Sequence, residues 1–391
     1  MTKQVLAAFD KCKDSLAASE LCNLTQKTLE SRGLDFRVQC VPLSDGGEGF
    51  VDILTNQVNG SFFPFYVSDS LGDRKEILIG LCELRNLPAL AKEFLGLPND
   101  GRIGIIEMAS IVGLADLKLE QRDAWKTCTK GVGEALAYCS SLELDAILLG
   151  IGGSSTNDMG VGALSALGLD FADVHGCPIS FPAPEKWSSV STIEVRKMVS
   201  LPPLIIACDV RNPLLGTQGA THQFGKQKGL DKEARKAMEQ EMEKMLALMS
   251  SLYPDAVPGS HAEGSGAAGG IGFGLGLAYE VKFVPGFELI SFWYNLGKKL
   301  KDCEILITGE GRFDQTSGQG KAPFELIKKA HELGKQSFVL AGSVDDEMKR
   351  MCELEYPGVK IYEFGDRSKS LMDNLTHASS NLVRALNQYI P

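Results

Sequence analysis

Apolar and polar positions alternate over residues 4–9, recur at helical spacing over 15–32 up to Gly33, and alternate again over 36–43. This strand, helix, strand succession is one βαβ unit, and residues 49–58 continue it as a helix. The doubly wound pattern then lapses until about Gly286. It resumes as helix (287–300), strand (304–308), helix (321–333), strand (336–341), helix (345–354), strand (359–364) and a last helix over 370–389. Five strands separated by helices predict a parallel sheet with right-handed crossovers. The simplest assembly is an α/β, flavodoxin/Rossmann-like doubly wound sheet in the order 2-1-3-4-5. Residues 1–59 and 286–391 would form this discontinuous domain, with residues 60–285 inserted as a second, mixed α/β domain.

The insert opens with an aromatic, strand-like segment at 61–68 and a hairpin partner around 76–81. Further strands are expected at 103–108, 146–150 and 204–208. Over 231–252 the apolar positions Ala234, Met238, Met242, Met245, Met249 and Leu252 keep one helical face, a stripe that reads as core packing.

Composition narrows the partners. With 391 residues the chain exceeds what one hydrophobic core serves, so two domains are expected. A formal charge of -10 argues against nucleic acid, because phosphate backbones are held by an excess of Lys and Arg. A small anion held by a local cluster of cations is compatible with it. Ten cysteines without a C-x-x-C pair read as reduced thiols of a cytoplasmic protein, and five scattered histidines give no zinc spacing. The amino terminus turns polar too soon for a signal peptide, and no apolar segment is long enough to cross a bilayer.

The densest chemistry lies at 304–321, EILITGEGRFDQTSGQGK, where an apolar strand runs into a glycine loop carrying Glu310, Arg312, Asp314 and Lys321. The first strand ends at Asp10 and Lys13, and the second at Asp45 and Glu48. In a parallel sheet all three ends share one edge, which is where open α/β sheets bind ligands. Carboxylates, cations and unhindered backbone N–H groups together suit a phosphate ester with a metal ion.

The insert supplies a counterpart: a strand followed by Gly152, Gly153, Ser154, Ser155, Thr156, Asn157 and Asp158 ahead of a helix. Such a loop either cradles an anion or merely caps the helix. A glycine run at 264–272, with Gly266, Gly269 and Gly270, admits phosphates or allows tight helix packing. Asp209 stands at another strand end with Asn212 beyond it, and Lys226 reads as a surface turn. No G-x-G-x-x-G follows the first strand and no P-loop occurs, which disfavours a nicotinamide-dependent dehydrogenase. A metabolite sensor remains open, although it has no use for so many converging carboxylates.

Taken in order, PLSDGGEG (42–49), GIGGSSTND (150–158), ACDVRNPLLGTQGA (207–220) with FGKQKG (224–229), GSGAAGGIG (264–272) and TGEGRFDQTSGQGKAP (308–323) resemble the bacterial type I glycerate kinase family. The resemblance implies phosphorylation of D-glycerate by ATP with Mg2+, 2-phosphoglycerate as product, and an active site in the cleft between two domains. It carries Lys13, Asp45, Glu48, Asn157, Asp158, Asp209, Asn212, Glu310, Arg312, Asp314 and Lys321 into the candidate site. On that basis Asp209, then Asp45, are candidate bases, and Glu310 and Asp314 suit the metal. Lys13, Arg312 and Lys321 would neutralise phosphoryl or carboxylate charge. A homodimer is open to such a chain, whereas nucleic-acid and membrane partners are not expected. The first loop departs from the family pattern A-P-D-S-F-K-G-S-L, with Phe9 for Pro, Lys11 for Ser and Asp14 for Gly, and Met159 replaces a common glycine. An αL backbone at position 14 is costly for most residues and less so for Asp.

Overall fold

Apolar runs bounded by glycine or acidic turns make strands that can be buried on both faces. The computed structural model, which describes residues 2–32, 36–254 and 256–391, assembles parallel sheets from them. Gly33, the expected stop of the first helix, lies outside the described residues. Two compact units result: residues 1–45 with 287–391, and residues 46–286.

In the first unit, five parallel strands lie in the order Val359–Glu363, Gln336–Ala341, Ile305–Gly309, Lys3–Phe9, Phe36–Cys40. Alternation sends Val5, Ala7 and Phe9 to one face, against Leu21, Leu29, Leu382 and Leu386 of the helices Ala18–Glu30 and Ala378–Tyr389. Val339 and Ile361 face the other way, onto Phe324, Ile327 and Met348. Each fully buried side chain of this kind contributes about 1.5–3 kcal/mol, so the strands are fixed by cores on both faces. Two expected helices are interrupted. Residues 287–300 divide into Gly286–Trp293 and Leu296–Asp302 at Asn295, whose φ is 50°, and residues 370–389 divide at His377.

The second unit carries a six-stranded sheet in the order Val281–Val284, Leu204–Ala207, Ala146–Gly150, Arg102–Glu107, Arg74–Glu83, Ser61–Ser68. The first four strands are parallel and the last two form an antiparallel hairpin. Strand Val281–Val284, too short and too charged to stand out in the sequence, pairs Val284 with Ala207. At the other end of the unit, Gly46 has a φ of 85°, and a Cβ there would approach the Ala207 carbonyl oxygen to 2.9 Å. Helix Lys232–Met249 starts at Asp231, whose carboxylate accepts the Ala234 N–H, and buries Met238, Met242, Met245 and Met249 in a core with Trp187 and Phe273. The methionine stripe is core packing.

The expected domain boundary at residue 59 moves to residue 45. Helix Phe50–Gln57 packs on Arg74–Glu83 and Arg102–Glu107, and Val51 N–H donates to Glu107 Oε2 at 2.9 Å. That buried tie places the whole helix in the second unit. Among the described residues, no helix is long and apolar enough to cross a membrane.

Candidate active site

In the first unit the carboxyl ends of three neighbouring strands bring acidic tips together. Asp10 N–H donates to Gly309 O at 2.9 Å, and Leu43 N–H donates to Phe9 O at 2.8 Å, which carries the chain on towards Asp45. Lys11 N–H caps Asp10 Oδ1 at 2.8 Å, while the Lys11 ammonium reaches Asp45 Oδ1 at 3.0 Å. Burial first, then the charges of Asp45 and Glu310, push the Asp10 carboxyl up to about 7 against the pull of Lys11. Lys13 stands exposed on the following turn, which closes through Leu16 N–H to Cys12 O and holds Asp14 at φ 60°. The left-handed backbone expected at position 14 is therefore present, on a residue that tolerates it.

Glu310 follows the central strand and is only 4% exposed. Its Oε2 accepts from the Lys321 ammonium at 2.7 Å, while its buried Oε1 has no hydrogen-bond partner among the described residues. Burial raises its pKa against the Lys321 charge. An orphaned buried carboxylate oxygen is costly, and a hard cation or a donor on a ligand would remove that cost. Asp314 fits a metal less well. Thr316 N–H and hydroxyl occupy its Oδ1, and Arg312 Nε pairs with its Oδ2 at 2.9 Å. Burial opposes ionisation there, but the Thr316 bonds, Lys321 and Arg312 together hold the carboxyl below its usual range. Arg312 itself is exposed, its strand Arg312–Phe313 pairing with Ser343–Val344. Among the described residues no three His, Cys, Asp or Glu side chains form a metal cage. The orphaned Glu310 oxygen is compatible with Mg2+, an ion that takes one or two protein carboxylates.

In the second unit the 152–158 loop is sealed by chain packed against it. A Cβ at Gly152 would come within 2.7 Å of Gly47 N, and one at Gly153, where φ is 72°, within 2.8 Å of Glu48 Oε1. These two glycines and Glu48 are the half-exposed part. Ser154, Ser155, Asn157 and Asp158 are buried. The Ser154 and Thr156 hydroxyls bond each other at 2.8 Å, and Ser155 donates to Val112 O at 2.8 Å. Asp158 Oδ2 accepts the Thr129 N–H and hydroxyl, each at 2.8 Å, and the Gly162 N–H. Its pKa is raised by burial and lowered by those bonds, so Asp158 serves to tie the helix start to residue 129. Asn157 donates to Thr221 Oγ1 at 2.9 Å, and its buried Oδ1 has no partner among the described residues.

Strand Leu204–Ala207 delivers Asp209, exposed, with Oδ1 accepting Gly286 N–H at 2.8 Å. Asn212 is half-buried, and its carbonyl accepts Gly266 N–H at 3.0 Å. Gly266, Gly269 and Gly270 are buried where residues 156–159 and 212–214 crowd them, the close packing that glycine permits. The structure therefore groups Asp10, Asp45, Glu310 and Lys321 in one unit. In the other it groups Glu48, Gly152 and Gly153, with Asp209 and Asn212 on the loop after the adjacent strand.

Two residues escaped sequence reasoning, and Lys228 was legible only as a cation of a polar loop. Lys11, noticed only as a departure, supplies the cation on Asp45. Lys228 is buried and donates to Thr156 O, burial pulling its pKa down to about 8 against the charge of Asp158, whereas Lys226 is exposed. Glu107 ends its strand on the same edge as Asp209, and its position at a strand end was the signal that could have found it. It accepts Val51 N–H at 2.9 Å and Gly49 N–H at 3.4 Å, fixing the chain just after Glu48. Burial pushes its carboxyl up to about 7, against the two N–H groups and with Asp52 and Glu48. Between the unfolded value near 4.5 and about 7 the native state keeps a proton that the unfolded chain has lost, so this group's contribution falls as pH rises. Denaturant unfolding at pH 5 and pH 8 should show a stability difference on the order of 3 kcal/mol larger in the parent than in Glu107→Gln. Equal pH dependence in the two would show that the carboxyl ionises normally.

A sequence model described as the glycerate kinase family matches residues 5–390. The chain is 31% identical to the glycerate 2-kinase of Escherichia coli K12, over 98% of each chain. It is 32% identical to the glycerate kinase of Haemophilus influenzae, over 97% of each. A crystal structure from Salmonella typhimurium LT2, provisionally assigned as glycerate kinase 2, matches with a TM-score of 0.74 and 28% identity, covering 99% of this chain and 96% of that one.

Proposed function

The chain belongs to the glycerate kinase family, a family of enzymes that phosphorylate glycerate, and from that membership we propose that it transfers the γ-phosphoryl group of ATP to the 2-hydroxyl of D-glycerate. The observation that carries the site assignment is Glu310: a carboxylate sunk at a strand end with one oxygen on Lys321 and the other unpartnered among the described residues. A purely structural ion pair gains nothing from leaving that oxygen unpaired, whereas a metal-nucleotide would satisfy it. Glu310 first, and Asp314 second, would hold Mg2+. When bound, the ion neutralises phosphate charge and orients the terminal phosphate.

Lys13, Arg312 and Lys321 supply positive charge for the transferred group and the glycerate carboxylate, with Arg312 suited to bidentate contact. Asp209 is the preferred general base. Asp45, ion-paired with Lys11 at 3.0 Å, is the alternative. The half-exposed backbone of Gly152 and Gly153, with Glu48 and Asn212, would position substrate. All ten cysteines are free thiols, which supports a reducing, cytoplasmic setting.

The test is ADP release from ATP and Mg2+ with and without D-glycerate, followed by NMR of the product. Turnover that depends on glycerate, with phosphorus coupled to the proton on C2, is expected. No glycerate-dependent turnover would overturn the assignment, and coupling at C3 would overturn the choice of hydroxyl alone.

A further inference from the structure

Within the second unit lies a cavity of about 400 Å3 that the proposed chemistry leaves unused, walled by Tyr253, Phe273, Tyr279 and Phe283 and reached by Ser265 and Gly276. We propose that it receives the purine base of the nucleotide. This inference rests on the kinase assignment above and extends it, because that assignment leaves the base without a seat.

Three observations carry it. The first is the chemistry of the walls. Four aromatic rings give flat apolar faces of the kind on which a base stacks, and the volume suits a small planar ligand. Among the described lining residues Glu263 is the one carboxylate and there is no lysine or arginine, so phosphate and glycerate carboxylate are poor occupants. Glu263 itself is largely exposed and faces Arg211 at 3.9 Å.

The second is Gly276. Glycine inside a helix weakens it, and the helix Ile271–Ala278 contains three. Gly272 is required because a Cβ would strike the Phe283 ring at 2.5 Å, and Gly274 because it would strike the Met159 carbonyl oxygen. Among the described residues a Cβ on Gly276 would meet nothing within 4 Å, so none of them accounts for the missing side chain. It borders the cavity, and an occupant there does account for it.

The third is position. The cavity wall is stitched to the loop that carries Asp209 and Asn212. Ser265 Oγ accepts Leu214 N–H at 2.9 Å, and Gly266 N–H donates to Asn212 O at 3.0 Å. Phe283, 43% exposed, is one residue from the end of a strand whose Val284 carbonyl accepts Cys208 N–H at 3.0 Å. A base in this cavity would leave its ribose and phosphates leading toward that loop.

Calorimetric titration of the whole protein with ADP and with inorganic tripolyphosphate, which has the phosphates and no base, tests the idea. Gly276→Leu fills the cavity and should raise the ADP Kd about tenfold or more while leaving the tripolyphosphate Kd within about twofold. Phe283→Ala removes a partly exposed wall and should raise the ADP Kd about fivefold, which provides the test even if the leucine variant does not fold. Unchanged ADP affinity in folded variants, with the parent turning over glycerate normally, overturns the base site alone. A parent that neither binds ADP nor turns over glycerate overturns the kinase assignment and this inference with it.

Discussion

Replacing Glu310 by Gln is expected to lower kcat about 10²–10³-fold at saturating ATP and Mg2+, the loss typical of removing one preorganised electrostatic group. The amide keeps the shape of the side chain but not the charge that a metal requires or that holds Lys321. The expected effect on stability has the opposite sign. Burial already disfavours the ionised carboxyl, and the Lys321 side chain, 40% exposed, can turn to water when its partner is neutral. Turnover should therefore collapse while the thermal midpoint stays level or rises, a combination that simple misfolding does not produce. Measured kcat within a factor of about two of the parent would remove Glu310 from the reaction.

Asp209→Asn should lower kcat about 10²–10⁴-fold, the range for losing a general base, with ATP affinity nearly unchanged. Asparagine retains an oxygen able to accept the Gly286 N–H, so the loop is expected to keep its course. The phenotype thus isolates proton removal from loop geometry. Steady-state kinetics together with nucleotide titration checks it. Near-normal turnover would take Asp209 out of the role, and a larger loss in Asp45→Asn would transfer the role there despite the Lys11 ion pair.

The acidic strand ends were legible because their signal is local. Ile305–Gly309 is an unbroken apolar run followed at once by glycine and charge, and the hairpin at 61–68 and the helix capped by Asp231 announce themselves in the same way. Family kinship was legible because six long segments survive side by side. What stayed hidden depends on residues distant in the chain. Only the fold shows that Ser155 and Asp158 point inward, because their partners lie at 112 and 129. Helix Phe50–Gln57 follows the first βαβ unit so closely in sequence that it reads as part of it, and the Glu107 carboxylate assigns it elsewhere. The burial of Lys228 has no local signature either, since a lysine in a polar glycine loop reads as solvated.

The second unit begins and ends against one residue: Gly46 abuts the Ala207 carbonyl, and Val284 is in register with Ala207. The first unit, by contrast, joins Gln4 to Glu304 across 300 positions. If the contiguous segment matures first, it acts as a short tether, and the remaining loop is about one-fifth as long, which lowers the entropic cost of closing it by roughly 1.4 kcal/mol. Biosynthetic order then follows from topology: strand Lys3–Phe9 must idle, without its central neighbour, until residues 305–309 emerge.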